Sequence, residues 1–365
     1  MSAVPDWMIY GANGYTGRLV ARLAVARGER PVLAGRNAAE VAALAGELGL
    51  EHRVVELPTG RRGTAALLAA LDGIGLVAHC AGPYRVTAAP MVDACLGAGT
   101  HYLDITGELP VFEEIYERHD EAVAAGVVLL PGAGFDVVPT DCLAALLAAQ
   151  VPGAVSLELA FLARGGMSPG TAKTALGIAG GGGRRRVGGE LVPTRYGDPS
   201  RVVPFPSGER RVGSVPWGDV VTAYRSTGIG DITVYTKVPA SMAGRGRAAR
   251  LRTALVQKLL GYRIIHGIAT RVVGARVAGP SPDTREATGV EVWGEVRDAA
   301  GGSRSGTLVG PNGYDLTADA VVRAAGYVLA GRGPAGPIAP GAHTPSSALG
   351  GDFARELTGV TLELG

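Results

Sequence analysis

Three glycines at intervals of three, Gly11, Gly14 and Gly17, stand between a short apolar run at 7–10 and an amphipathic stretch at 16–26. A strand that turns at once into a helix needs residues without a Cβ at such points. One makes the tight turn, one lets backbone approach a ligand, and one lets helix and strand pack closely. The helix then presents unpaired N–H groups and the positive end of its dipole to the mouth of the turn, which suits a pyrophosphate. The segment Gly11-Ala12-Asn13-Gly14-Tyr15-Thr16-Gly17 therefore commits the start of the chain to a strand–turn–helix unit of a parallel sheet. Gly11, Asn13, Gly14, Tyr15, Thr16 and Gly17 are expected to hold a dinucleotide.

From 7 to about 150, short apolar runs alternate with helical stretches. Strands are expected near 7–10, 31–35, 52–55, 76–80, 101–104 and 127–130, and helices near 16–26, 38–48, 64–71, 88–98, 111–125 and 140–149. Repeated alternation of this kind makes a Rossmann doubly wound parallel sheet covered by helices. After 150 the pattern changes: a strand-like run at 156–163 is followed by a Gly/Arg-rich stretch at 180–189, expected as a basic surface or a loop, and the alternating Val290-Glu291-Val292-Trp293-Gly294-Glu295-Val296 suits antiparallel strands with one solvated face. The expected class is α/β, with a dinucleotide-binding Rossmann domain at 1–150. An inserted α+β domain at 151–313, with a mostly antiparallel sheet, would serve substrate binding or dimerisation. Helices at 317–330 and 346–357, within 314–365, would return to the Rossmann domain.

The second strand ends in Leu33-Ala34-Gly35-Arg36-Asn37. NAD-binding proteins place a carboxylate there for the ribose 2′-hydroxyl, whereas a guanidinium suits a 2′-phosphate. No acid flanks Arg36 in the sequence, so Arg36 and Asn37 predict NADPH/NADP as the cofactor. The fourth strand runs into Cys80-Ala81-Gly82-Pro83-Tyr84, where the backbone of Ala81, Gly82 and Pro83 is expected to line the cofactor's path. A net charge of +2 with 5% aromatic residues argues against a nucleic-acid partner. Three widely spaced cysteines argue against a disulfide framework, and six histidines without a pair at ligand spacing argue against a metal. No apolar run reaches the roughly 18 residues of a membrane span, and no signal pattern precedes residue 7. The expected compartment is the cytoplasm.

Five segments carry a resemblance: 11–17, Ala34-Gly35-Arg36, Ala81-Gly82-Pro83-Tyr84, His101-Tyr102-Leu103-Asp104-Ile105-Thr106-Gly107-Glu108 and Gly134-Phe135-Asp136-Val137-Val138-Pro139-Thr140-Asp141. With weaker pieces at 165–171 and 344–350, they make the chain resemble the saccharopine dehydrogenase-like NADP-dependent reductases, most closely the trans-acting enoyl reductase branch. The resemblance is dense only in the first 141 residues. It implies an NADPH-dependent reductase whose Rossmann domain is interrupted by an α/β domain that covers the cleft and often forms a homodimer contact. Members of the family reduce C=N bonds of amino-acid adducts or C=C bonds of carrier-bound acyl chains, or have no assigned reaction.

Reducing a polarised C=C needs donors for the developing enolate oxygen and an acid for the adjacent carbon, whereas an imine needs a group that keeps nitrogen protonated. Tyr84, Asp104, Glu108 and Asp136 are the catalytic candidates at the strand ends, with Thr106 and Asp141 nearby. Tyr84 is the first choice as donor, oriented by Asp104 or Glu108. Asp104 reads equally as a turn acceptor, Glu108 as a first-turn helix charge, and Asp136 and Asp141 as charges flanking a helix end. Gly166-Met167-Ser168-Pro169-Gly170 matches a hydrolase elbow, but Ser168 before proline also reads as an N-cap. The segment 239–276 holds eight basic residues and no acid, and suits an acyl carrier protein, an anionic membrane surface or acids elsewhere in the fold. The expected activity is NADPH-dependent reduction of a conjugated enoyl C=C on a small-molecule or carrier-bound acyl substrate. A C=N reductase and a non-catalytic NADP(H) scaffold are the alternatives.

Overall fold

The computed structural model describes residues 6–57, 64–172, 182–238 and 279–365. They form two compact units, Met1–Val138 with Tyr314–Phe353, and Pro139–Gly313 with Ala354–Gly365.

The first unit alternates β1 (Asp6–Tyr10), α1 (Tyr15–Ala26), β2 (Val32–Gly35), α2 (Ala38–Leu48), β3 (His52–Val54), α3 (Thr64–Ala70), β4 (Ile74–His79), α4 (Tyr84–Ala98), β5 (His101–Asp104), α5 (Leu109–Glu117), α6 (His119–Ala125) and β6 (Val128–Leu130). Every strand pairing in its sheet is parallel. β2 is buried along its whole length and β4 nearly so, as strands covered by helices on both faces must be. α1 buries Gly17, Val20, Ala21 and Ala24 at spacings of three and four, the stripe a helix needs to lie on a sheet. Two expected elements differ. α4 begins at Tyr84, four residues early, and the helix expected at 111–125 is two helices parted at Arg118, whose φ of −90° and ψ of 15° leave helical geometry.

The second unit holds α7 (Val138–Gln150), β7 (Ala154–Ala163), β8 (Gly183–Val187), β9 (Glu190–Thr194), β10 (Ser200–Phe205), β11 (Gly208–Ser214), α8 (Asp219–Thr227), β12 (Asp231–Thr236), α9 (Pro282–Glu286), β13 (Gly289–Asp298) and β14 (Ser303–Pro311). Then come α10 (Gly313–Leu329), the two-residue strands β15 (Arg332–Gly333), β16 (Gly336–Pro337) and β17 (Gly341–Ala342), α11 (Pro345–Leu349), α12 (Phe353–Glu356) and β18 (Thr361–Leu364). A nine-stranded mixed sheet forms here, parallel between β12 and β7 and antiparallel elsewhere.

Two boundaries are corrected. The first unit ends at Val138 rather than 150, because α7 packs on the second sheet: a Cβ at Gly294 would lie 3.0 Å from Leu147 and 3.2 Å from Leu143. The expected final helix is interrupted, and the chain from Ala354 onward belongs to the second unit, where β18 pairs with β14. Arg184, Arg185 and Arg186 lie in β8 rather than in a loop. The basic segment 239–276 lies outside the described residues. Among those described, no helix is long and apolar enough to cross a membrane.

Candidate active site

The first sheet has the order β17-β6-β5-β4-β1-β2-β3. Strand order reverses between β1 and β4, and in doubly wound sheets ligands lie outside the carboxyl ends of the strands at that point. The glycine turn leaves β1 here. Gly11 has φ +81°, a left-handed geometry, and the N–H groups of Gly11 and Ala12 both donate to Ala34 O on β2. A Cβ on Gly11 would lie 2.7 Å from that of Ala81, so the turn is seated against the β4 loop. A Cβ on Gly17 would lie 2.3 Å from Gly11 O. No side chain caps α1 at Gly14, and no acid stands in its first turn. Arg18 Nε donates to Asn13 O and fixes the turn from the helix side. Tyr15 packs edge-on against Tyr314 at 4.9 Å, and Thr16 follows it in the first turn. A cradle that any side chain would fill, before an uncapped helix start, fits a pyrophosphate.

Beyond β2, Arg36 is exposed and makes no hydrogen bond or ion pair among the described residues, leaving its guanidinium available for a 2′-phosphate. Asn37 is the N-cap of α2, accepting from Glu40 N. Its amide donates to Glu40 Oε1 at 2.7 Å, and the Asn13 amide donates to Glu40 Oε2 at 2.9 Å. No acid flanks Arg36 in the sequence, yet a carboxylate is held at this loop. Glu40 is four residues beyond Arg36, and the first turn of α2 brings it back. The spacing Asn37-Ala38-Ala39-Glu40, which follows the capping-box pattern, was the available signal.

The β4 loop rests on a residue that the sequence reasoning missed. His79 is fully buried, its ring 5.4 Å from that of Tyr10, 5.3 Å from Tyr84 and 6.1 Å from Tyr102. Nε2 lies 3.0 Å from Thr87 Oγ1, whose hydroxyl donates to Ala81 O and Pro83 O. The imidazole therefore donates to Thr87, its Nδ1 has no partner, and burial pushes it down to about 3, so it is neutral. His79 and Thr87 together fix the Ala81-Gly82-Pro83 loop, in which Gly82 and Pro83 are exposed. Burial pushes the Cys80 thiol up to about 12, out of nucleophile range.

Three of the four catalytic candidates are engaged by partners within the first unit. The Tyr84 hydroxyl is buried and donates to His79 O, and burial raises it well above the ordinary range. Glu108 accepts from Tyr84 N at 2.9 Å and Arg85 N at 3.3 Å, capping α4 from a separate loop rather than orienting a phenol. Pro83, at the N-cap, has no side-chain acceptor for that helix, which is why its start at Tyr84 is not visible locally. Asp104 is fully buried and accepts from Tyr102 Oη at 2.6 Å and from Thr106 N and Gly132 N at 2.9 Å each. Burial, outweighing these donors, pushes it up to about 6. It ties the ends of β5 and β6 together, the turn-acceptor reading.

Asp136 differs. It follows β6, on the same edge of the sheet, is partly buried, and makes no hydrogen bond or ion pair among the described residues. Its Oδ2 stands 2.9 Å from where a Cβ on Gly107 would be, so the glycine leaves it room. Burial alone pushes it up to about 6. An unpartnered carboxyl that is part protonated near neutrality is suited to proton transfer. In the second unit, Asp141 accepts from Ser226 Oγ at 2.7 Å, and Ser168 Oγ accepts from Thr171 N as an N-cap. No group of three His, Cys, Asp or Glu able to hold a metal occurs among the described residues.

Residues 7–130 match the model of the saccharopine dehydrogenase NADP binding domain. This part of the chain is similar to that domain. The matched domain is an NADP-binding one. Over 140 residues the chain is 34% identical to a trans-acting enoyl reductase of Mycobacterium leprae, covering 37% of this chain and 34% of that protein. Over 171 residues it is 29% identical to a saccharopine dehydrogenase-like oxidoreductase of Mus musculus, covering 42% and 40%. The matched stretch thus spans well under half of either relative. The fold of the saccharopine dehydrogenase (L-Glu forming) of Saccharomyces cerevisiae matches 99% of the chain and 100% of that chain, with a TM-score of 0.63 at 14% identity. This likeness concerns the fold alone.

Arg36→Ala is expected to weaken NADPH binding ten- to a hundredfold, on the order of one charge-assisted phosphate contact, with NADH binding changed less than about twofold. Calorimetric titration of both dinucleotides checks it, and equal losses would remove Arg36 from the 2′ position.

Proposed function

We propose that the chain is an NADPH-dependent reductase of a conjugated acyl C=C bond, with Asp136 supplying the proton. The observation that carries this reading is the unpartnered Asp136 carboxyl on the sheet edge that also holds the glycine turn and Arg36. When bound, the cofactor supplies a hydride. The chain's own residues divide the remaining work. The Gly11–Gly17 turn and the start of α1 hold the phosphates, and Arg36 selects the phosphorylated ribose. The Ala81-Gly82-Pro83 loop, braced by His79, Thr87 and the Glu108 cap, fixes the wall beside the cofactor. Asp136 gives a proton to the carbon next to the one reduced.

The relatives named trans-acting enoyl reductase support C=C over C=N, and an acyl substrate carried on a thioester is the corresponding chemistry. The test is NADPH oxidation followed by absorbance with a panel of enoyl thioesters and, separately, with amino-acid plus oxo-acid mixtures, beside a direct NADPH titration. Oxidation with enoyl thioesters is expected. Oxidation only with the amino-acid mixtures would replace the C=C substrate by a C=N one. Binding without oxidation in either panel would make the chain a nucleotide-holding scaffold.

A further inference from the structure

We propose that Glu40 is a specificity-determining residue that opposes the 2′-phosphate which Arg36 attracts, so that the site discriminates between phosphorylated and unphosphorylated dinucleotides less strongly than Arg36 alone would allow. The inference rests on the cofactor reading above. Its basis is the position and fixing of one carboxylate. Glu40 stands in the first turn of α2, and its two oxygens are gripped from different sides, Oε2 by the Asn13 amide of the glycine turn and Oε1 by the Asn37 amide of the β2 loop. It therefore spans the gap between the carboxyl ends of β1 and β2, the quarter of a doubly wound sheet where the adenosine ribose lies. Gly35 leaves room for the Asn13 amide, whose Oδ1 lies 2.9 Å from where a Cβ on that glycine would be.

Arg36, four residues earlier, does not neutralise Glu40, since no ion pair joins the two. The ribose end of the site thus offers a guanidinium with no ion pair among the described residues and, one helical turn on in the chain, a fixed carboxylate. The carboxylate has lone pairs left after two amide contacts and can accept from a 2′-hydroxyl, but it repels a 2′-phosphate. The two residues pull specificity in opposite directions, and the geometry makes Glu40 the brake.

Calorimetric titration of the full chain with adenosine 2′,5′-bisphosphate and with adenosine 5′-monophosphate tests this without turnover. Glu40→Gln, which keeps the side chain's shape and one accepting oxygen, is expected to bind the bisphosphate about three- to tenfold more tightly, the size of a charge repulsion near an exposed surface. Its affinity for the monophosphate should stay level or fall. The gain should shrink as salt is raised from 0.05 to 0.5 M, because exposed charges are screened. Equal weakening of both ligands would make Glu40 a strut for the loop and overturn the proposal, as would an unchanged ratio of the two affinities. Failure of the wild-type chain to bind either the bisphosphate or NADPH would instead overturn the cofactor reading, so the two failures are distinguishable.

Discussion

Replacing Asp136 by asparagine is expected to lower kcat for the NADPH-dependent reduction by about 10²- to 10⁴-fold, the usual worth of a positioned general acid. Because burial pushes this carboxyl up to about 6, the proton-bearing form dominates only below that pH. Wild-type kcat/KM should therefore fall about tenfold per pH unit above roughly 6, and the residual activity of the variant should lack that limb. Stability should move the other way. A carboxyl raised above its ordinary 3.8 holds its proton more tightly in the native than in the unfolded chain. The stability this gives is complete below about pH 4 and is lost as pH rises through 6. Asparagine mimics the neutral form, so Asp136→Asn should melt above the wild type at pH 8. A rate loss accompanied by a lower melting temperature, or a pH profile unchanged by the substitution, would remove Asp136 from the proton-transfer step.

How much of this was legible in the sequence divides along the range of the interactions involved. The parallel sheet and most helix positions in the first unit follow from local periodicity and glycine punctuation, and the turn from Gly11 to Gly17 is readable because backbone geometry demands it at fixed spacing. The partners of the catalytic candidates did not follow, because residue type at a strand end says nothing about which way a side chain is turned. Tyr84 and Asp104 are drawn inward by partners that are equally plausible surface groups in one dimension, His79 O for the phenol and two loop N–H groups for the carboxylate. Glu108 caps a helix whose first residue lies 24 positions earlier, a pairing that only the closeness of the β4 and β5 loops creates. Asp136 makes no hydrogen bond or ion pair among the described residues, which its sequence context does not reveal either. The same limit applies to the boundary at 138: α7 has apolar residues on several sides, and its sequence does not say which sheet it covers.

The glycine turn allows packing and ligand contact to be separated, because two of its glycines stand in different surroundings. Gly17 is buried, and an alanine there would put a methyl 2.3 Å from Gly11 O and 2.9 Å from Ala12 Cα, both backbone atoms that cannot step aside singly. Gly17→Ala must push α1 off the end of β1, at a cost of about 1–3 kcal/mol, and displaces the N–H groups that would meet the phosphates. It should lower the melting temperature and weaken NADPH binding at least a hundredfold. Gly14 is exposed and extended, with φ −72° and ψ 166°, and a methyl there meets only Gly11 O, at 3.2 Å. Gly14→Ala should therefore leave thermal stability nearly unchanged, yet still weaken NADPH binding about tenfold or more, because the methyl would stand at the mouth where a dinucleotide approaches the backbone. Thermal melts and calorimetric titrations of the two variants check this together. If Gly14→Ala binds NADPH as tightly as the wild type, the pyrophosphate does not cross this turn, and the hydride source assumed for Asp136's partner step has to be sought elsewhere on the chain.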